Sequence, residues 1–358
     1  MRVGVLRLEP GREAVLDLRT EGAAAVAEEE VVTVLIPARD EERFIGACLE
    51  SVLSQTERDL QVIVVDGASG DRTREIVRWH AERDPRVELL VNAEGGGIPT
   101  SLNAGLRAAR GRWLVRVDAH ATIPPEYVRR VVSHLATGRW GGVGGRKDGV
   151  GETPTGRAIA AALASPFGVG NSTYHHGTKL QSVDHVPFGA YPTGLLREIG
   201  GWDERLSANE DYELDYRLRR KGHQLLFDPR VAIAWRCRQR IPDLFRQYRR
   251  YGRGKAAVVR VHPESVRLRH LAAPALIAGW AVALALSFRW KLPLALAVVP
   301  YLLALGAAAL MTARKAGDLR TTPRIAAAFA AMHVAWGLGF WEGLVKQAWM
   351  LCTGKGRR

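Results

Sequence analysis

From residue 31 onward the apolar positions fall into two alternating periods. Residues 31–36 form a short β-branched run that reads as a buried strand stopped by Pro37. Phe44, Ile45, Cys48, Leu49, Val52 and Leu53 then recur at helical spacing across 42–54. The cycle repeats through strand 61–65, helix 72–82, strand 86–91, a Gly95-Gly96-Gly97 loop, helix 100–109 and strand 112–117. Strands and helices joined by short links predict an α/β fold with a mostly parallel sheet covered on both faces. Residues 1–30 alternate only weakly and are expected to form a lead-in with a short hairpin.

Beyond residue 117 the pattern loosens. A helix is expected over 127–136, glycine dominates 138–151, and 154–177 reads as a small-residue helix followed by a polar loop with His175 and His176. Asn209 is placed to cap a helix over 210–221, residues 224–227 and 231–235 read as two strands, and Pro242 opens a basic helix that runs to about 255. Three apolar runs follow, at about 271–288, 292–313 and 325–344. The first two carry no charge and are long enough to cross a hydrocarbon core of about 30 Å, so they read as a membrane hairpin. The third contains His333 and Glu342 and is followed by basic residues, so it either spans against the charge bias or lies in the interface. The expected domains are thus a lead-in (1–30), an α/β domain (31–260) and a membrane region (261–358).

Charge sharpens this division. The net charge is +14, and between residues 236 and 269 eleven Lys or Arg stand against Asp243 and Glu264, directly before the apolar runs. Basic residues flank membrane segments on the cytoplasmic side, which puts the α/β domain in the cytoplasm against the inner membrane. The start of the chain lacks a charged stretch, apolar run and cleavage site in series, so no signal peptide is expected. Cys48, Cys237 and Cys352 are widely spaced and form no metal-ligand pattern, which reads as three reduced thiols.

Chemistry gathers at the strand ends. The first strand runs into Pro37-Ala38-Arg39-Asp40-Glu41, the second into Asp66, and the strand at 112–117 into Asp118-Ala119-His120. Ligands of open α/β sheets bind beyond the carboxyl ends of the strands, and a nucleotide needs a carboxylate for its N–H or hydroxyl groups and a cation for its phosphates. Asp118 and His120 share one face of the chain, so they form either a metal-capable pair or a buried Asp–His hydrogen bond. Asp40, Glu41 and Asp66 are equally favoured as acids at helix starts.

In this order and at these intervals, the strand-end motifs resemble those of the inverting glycosyltransferases of family 2, most nearly the bacterial enzymes of succinoglycan and other exopolysaccharide biosynthesis. The supporting residues include Asp66-Gly67-Ala68-Ser69, Asn103-Ala104-Gly105, Gly200-Gly201-Trp202-Asp203-Glu204, Glu210-Asp211 and Gln247-Tyr248-Arg249-Arg250-Tyr251. The resemblance implies a GT-A, Rossmann-like catalytic domain followed by transmembrane helices. It implies nucleotide-sugar binding by Pro37, Arg39, Glu41, Asp66, Ser69, Asn103 and Asp118. A divalent cation, Mn²⁺ or Mg²⁺, would be held by Asp118 with His120, where the family usually carries a second aspartate. Asp211, beside Glu210, would be the general base that takes the acceptor hydroxyl proton. Gln247, Arg250 and Tyr251 match a Q-x-x-R-W motif near the diphosphate and acceptor, with tyrosine in place of tryptophan.

The partners so implied are a nucleotide-diphosphate-sugar donor, a UDP-sugar first among them, a lipid-linked or glycan acceptor, and membrane lipids, with no nucleic acid. Two spanning segments favour single additions. Two other readings stay open from the sequence: a nucleotidyltransferase, in which Glu210-Asp211 has no role, and a non-enzymatic binder of lipid or nucleic acid, which leaves the strand-end acids unexplained.

Overall fold

The structure is a computed structural model that describes residues 14–15, 29–92, 96–290 and 292–353. Most of the expected lead-in hairpin, part of the Gly95-Gly96-Gly97 loop, Lys291 and the basic tail after 353 lie outside the described residues. The chain divides into two units, residues 1–147 with 177–235 and residues 148–176 with 236–358.

The first unit opens with β1 (Ala14–Val15), followed by β2 (Glu29–Ala38), α1 (Ile45–Leu53), β3 (Leu60–Asp66), α2 (Thr73–Ala81), β4 (Val87–Val91), α3 (Ile98–Ala108) and β5 (Gly111–Arg116). These five strands pair in parallel, in the order β1-β4-β3-β2-β5. All seven residues of β3 are buried, as an unbroken apolar run in a doubly covered sheet requires. The chain moves outward from β2 through β3 to β4 and then crosses by α3 to β5 on the other side of β2. That reversal makes a switch point between β2 and β5, where an open α/β sheet leaves a crevice at its carboxyl edge. Gly105 lets α3 lie close on β2, because a Cβ there would stand 2.1 Å from a Leu35 methyl carbon.

The remaining strands extend the sheet as β6 (Ala121–Thr122), β7 (Trp140–Val150), β8 (Gln181–Val183), β9 (Ala190–Pro192) and β10 (Gln224–Arg236), with α4 (Tyr127–Leu135), α7 (Thr193–Glu198) and α8 (Glu210–Arg220) between them. Here β9 runs antiparallel to both β5 and β7, and β10 runs antiparallel to β6 and β8, which completes a mixed ten-stranded sheet.

Several local expectations change. Strand β2 continues through Pro37, which pairs with Val65 of β3; the ladder with β5 ends at Leu35, so the missing N–H falls beyond that ladder. The glycine-rich stretch 138–151 is largely the strand β7, and its glycines mark close approach: a Cβ on Gly142 would meet Tyr191, one on Gly144 would meet Val186, and one on Gly145 would meet the Val231 carbonyl. The strands expected at 224–227 and 231–235 are one, β10. Asn209 precedes α8 in the left-handed region (φ 62°) and makes no side-chain cap bond to it.

The second unit contains α5 (Pro154–Leu163), α6 (Pro166–Val169), α9 (Ile241–Val261), α10 (Leu268–Ser287), α11 (Leu292–Lys315) and α12 (Thr322–Cys352). Among the described residues, α10 and α11 are long and apolar enough to cross a membrane, and they leave Val282, Leu296, Leu303 and Met311 exposed. Helix α12 packs along α9 with its backbone close: a Cβ on Gly252 would lie 2.3 Å from the Trp336 carbonyl oxygen, and one on Gly339 would lie 2.1 Å from that of Arg249. The polar residues of the third apolar run have protein partners. Glu342 accepts from Nε of Arg249 and Arg253, each at 2.7 Å, and His333 Nε2 donates to the Phe167 carbonyl at 2.8 Å.

Candidate active site

The loops after β2 and β3 are stitched together by their own polar groups. Asp40 N–H donates to Ser69 Oγ (3.0 Å), Glu41 N–H to Thr73 Oγ1 (2.8 Å), Glu42 N–H to Asp71 Oδ2 (3.0 Å) and Gly70 N–H to Asp40 Oδ1 (2.8 Å). This lattice fixes Arg39 and Glu41 beside the end of β3. Asp66 is fully buried there. Its Oδ2 accepts Ser69 N–H at 3.1 Å and faces Arg74 Nε at 3.4 Å, while its Oδ1 has no hydrogen-bond partner. A buried carboxylate oxygen left unpaired is costly, and Oδ1 of Asp66 is such an atom.

Four non-glycine residues among those described have positive φ: Asp40 (55°), Ala68 (62°), Phe188 (54°) and Asn209 (62°). Each lies within three residues of Glu41, Asp66, His185 or Glu210. Backbone strain of this kind persists where the surroundings impose it, and it collects at functional sites.

At the end of β5, Arg116 joins two acids from distant parts of the chain. Its Nε donates to Asp118 Oδ1 at 2.9 Å and its Nη1 to Glu210 Oε1 at 3.2 Å. Burial opposes its charge, but Asp118, Glu210 and Asp211 outweigh that and raise its pKa. Glu210 and Asp211, adjacent at the start of α8, are driven apart. Burial and the charge of Asp211 push Glu210 up, against the pull of Arg116. Burial also acts to raise Asp211, but His185, Arg116, the Tyr212 N–H and Lys147 together hold it below the ordinary carboxylate range. The side chain of Asp211 is 23% exposed and that of Glu210 only 7%, so the acid kept ionised is also the one that solvent or a substrate reaches. Lys147 stands over the Trp235 ring at 3.7 Å and the Phe188 ring at 4.8 Å.

His120 is fully engaged by protein. The Trp235 indole N–H donates to Nε2 at 2.8 Å, and because an indole is a donor only, Nε2 must present its lone pair. Nδ1 therefore carries the hydrogen and donates it to Glu41 Oε1 at 2.9 Å. Among the described residues no group of three His, Cys, Asp or Glu side chains is arranged to hold a metal ion. What remains for a cation is the Asp118 carboxylate. One carboxylate suffices for Mg²⁺ or Mn²⁺ that arrives with the phosphates of a substrate, since such ions take one or two protein carboxylates and fill the rest with phosphate and water.

Residues 33–195 match the family model of glycosyl transferase family 2. Across 320 residues, 87% of this chain and 94% of the other, the sequence is 32% identical to the succinoglycan biosynthesis protein ExoA of Rhizobium meliloti (strain 1021). The chain belongs to glycosyl transferase family 2. A more distant relative, 20% identical over 64% of this chain and 74% of its own length, is the dolichyl N-acetyl-alpha-D-glucosaminyl phosphate 3-beta-D-2,3-diacetamido-2,3-dideoxy-beta-D-glucuronosyltransferase of Methanococcus voltae. In fold it is similar to a mannosyltransferase of Pyrobaculum calidifontis solved in complex with GDP-Man and Mn²⁺, with a TM-score of 0.58 and 23% identity, covering 88% of this chain and 91% of that one. The mixed sheet described above is thus the Rossmann-like GT-A fold expected from the sequence.

Within this family 2 chain the residues singled out from the sequence fall into three groups. Pro37, Arg39, Glu41, Asp66, Ser69, Asp118 and His120 lie at the carboxyl ends of β2, β3 and β5, and Glu210, next to Asp211 in the chain, reaches Asp118 through Arg116. Asn103 is occupied elsewhere: its amide donates to the Trp202 carbonyl and Glu204 Oε1, each at 2.8 Å, and accepts Trp202 N–H at 2.9 Å, tying α3 to the 200–204 loop. Gln247, Arg250 and Tyr251 lie on α9 in the second unit, where the Gln247 amide donates to the Tyr251 hydroxyl at 2.9 Å. Sequence reading gave no role to Arg116, Trp235, Asp215 or His185. An arginine at the end of β5, two residues before Asp118, was the one local signal available for Arg116.

Proposed function

We propose that this family 2 glycosyltransferase moves a sugar, with inversion, from a nucleotide-diphosphate donor to a lipid-linked or glycan acceptor at the cytoplasmic face of a membrane, in exopolysaccharide synthesis. The observation that carries this reading is the Glu210-Asp211 pair, in which the accessible member is held below the ordinary carboxylate range and the buried member is pushed above it. An inverting transfer needs one such carboxylate. Asp211 takes the acceptor hydroxyl proton while the acceptor oxygen attacks the anomeric carbon opposite the departing diphosphate.

The other residues bind and orient. The unpaired Oδ1 of Asp66 would accept the ring N–H of a uracil or guanine base, with Arg39 and Glu41 around it. Asp118 would hold the divalent cation, which supplies charge for the leaving diphosphate. Arg250 and Tyr251 offer a guanidinium for phosphate and an aromatic face for a sugar. A UDP-sugar is the first donor to test, with GDP-mannose second because the Pyrobaculum enzyme binds it. The exposed apolar helices α10 and α11 support a membrane hairpin, and the named pathway of the Rhizobium relative supports an envelope glycan product.

The test is nucleoside-diphosphate release by the full chain in detergent, screened with UDP- and GDP-sugars and Mn²⁺. Asp211→Asn should lose roughly 10²–10⁴-fold in kcat with donor binding retained. Transfer by Asp211→Asn at the unaltered rate would end the assignment.

A further inference from the structure

Behind Asp211 lies a second carboxylate on the same helix. Asp211 and Asp215 are four residues apart, so α8 presents both on one face, and the His185 ring stands between them. His185 Nδ1 lies 2.7 Å from Asp215 Oδ2 and Nε2 lies 3.8 Å from Asp211 Oδ2. Asp215 is itself fixed: Oδ2 also accepts Val186 N–H at 2.8 Å, and Oδ1 accepts the Tyr191 hydroxyl at 2.9 Å. A carboxylate with both oxygens so occupied dictates that Nδ1 donates to it, which turns Nε2 toward Asp211. Exposure falls inward, from 23% for the Asp211 side chain to 9% for His185 and none for Asp215.

We propose that His185 is a positioning residue for glycosyl transfer: an imidazolium, held by Asp215, that aims the Asp211 carboxylate and keeps it ionised. The inference rests on Asp211 being the base. The groups facing the ring are Asp211 and Asp215 with the Tyr212 ring from α8, Asp184 beside it in the chain, and Tyr191 of β9 through Asp215. The charges of Arg116 of β5 and Lys147 of β7 also act on Asp211. Burial works against a charged ring, and Asp211, Asp215 and Asp184 outweigh it, so His185 titrates above its ordinary range. In the transfer itself the acceptor oxygen bonds to the anomeric carbon, the bond from that carbon to the diphosphate breaks with its electron pair, and the acceptor proton passes to Asp211. His185 keeps its own proton throughout.

The test compares wild type, His185→Gln and Asp215→Asn in detergent, with the same UDP- and GDP-sugar panel and kcat followed against pH. In both variants kcat should fall, by less than the roughly 10²–10⁴-fold expected for loss of the base, with donor KM unchanged. The acid limb of kcat should move to higher pH, because Asp211 has lost the charge that held its pKa down. An unmoved acid limb, or a change in donor KM alone, overturns the proposal. Should the variants fail to fold, wild type labelled with ¹⁵N-histidine decides: both His185 ring nitrogens protonated at neutral pH supports the proposal, and a neutral ring overturns it. An active Asp211→Asn enzyme would instead remove the base reading beneath it, so the two failures are distinguishable.

Discussion

Replacing Arg116 with Met takes one guanidinium from between two carboxylates that solvent cannot relieve. The side chains of Arg116 and Glu210 are only 4% and 7% exposed, and the guanidinium lies 2.9 Å from Asp118 and 3.2 Å from Glu210. Breaking a buried ion pair by removing one partner costs about 3–5 kcal/mol, because the other charge stays behind unpaired. In a unit of this size that corresponds to a fall of roughly 6–20 °C in Tm. The loss should depend on pH with a definite sign. Glu210 is already raised by burial first and then by Asp211, with Arg116 pulling the other way, so without Arg116 it rises further. An acid whose pKa is higher folded than unfolded costs nothing below its unfolded value and costs most above its folded value. Arg116→Met should therefore be weakest at neutral and alkaline pH and recover as Glu210 protonates. Adding Glu210→Gln removes the stranded charge and should restore much of the stability. Tryptophan-fluorescence melts of wild type, both single variants and the double variant in detergent, from about pH 5 to 8, measure the cycle. An Arg116→Met variant that melts with wild type, or a double variant no more stable than Arg116→Met, would refute the reasoning.

Two further outcomes follow from contacts elsewhere. Because Trp235 already occupies Nε2 and Glu41 takes the Nδ1 hydrogen, His120→Asn should leave the Mn²⁺ concentration for half-maximal turnover little changed and raise donor KM instead; a rise of about 10–100-fold in the Mn²⁺ requirement would return the imidazole to the metal's surroundings. In the second unit, Gly339→Leu would set a side chain against the Arg249 carbonyl, so it should lower stability by about 1–3 kcal/mol or more, and an unchanged thermal melt in detergent would contradict the close α9–α12 packing.

The parallel half of the sheet was legible because its strands read as short apolar runs, most completely in β3, which is buried along its whole length. The strand ends were legible for the same reason, since Asp66 and Asp118 stand where the apolar run stops. Strand β7 was hidden because glycine there reports the bulk of Tyr191, Val186 and the β10 backbone rather than a turn, and those neighbours come from residues 40 to 90 positions later in the chain. The partners of Glu342 and His333 in the third apolar helix were not legible, because Arg249, Arg253 and Phe167 come from distant segments of the chain.

The site divides along the same line. A motif such as Glu210-Asp211 identifies two carboxylates but cannot say which is ionised, because that depends on the groups each one meets. Arg116 faces Glu210 from β5, while His185 and Lys147 face Asp211 from separate segments. The roles of the two acids are therefore set by three cations whose partners are fixed only when the sheet closes. Asp215 shows the same limit from the other side: at helical spacing from Asp211 it reads as one more acid in a polar helix. Only the ring of His185 between the two carboxylates turns that spacing into a device that aims the base.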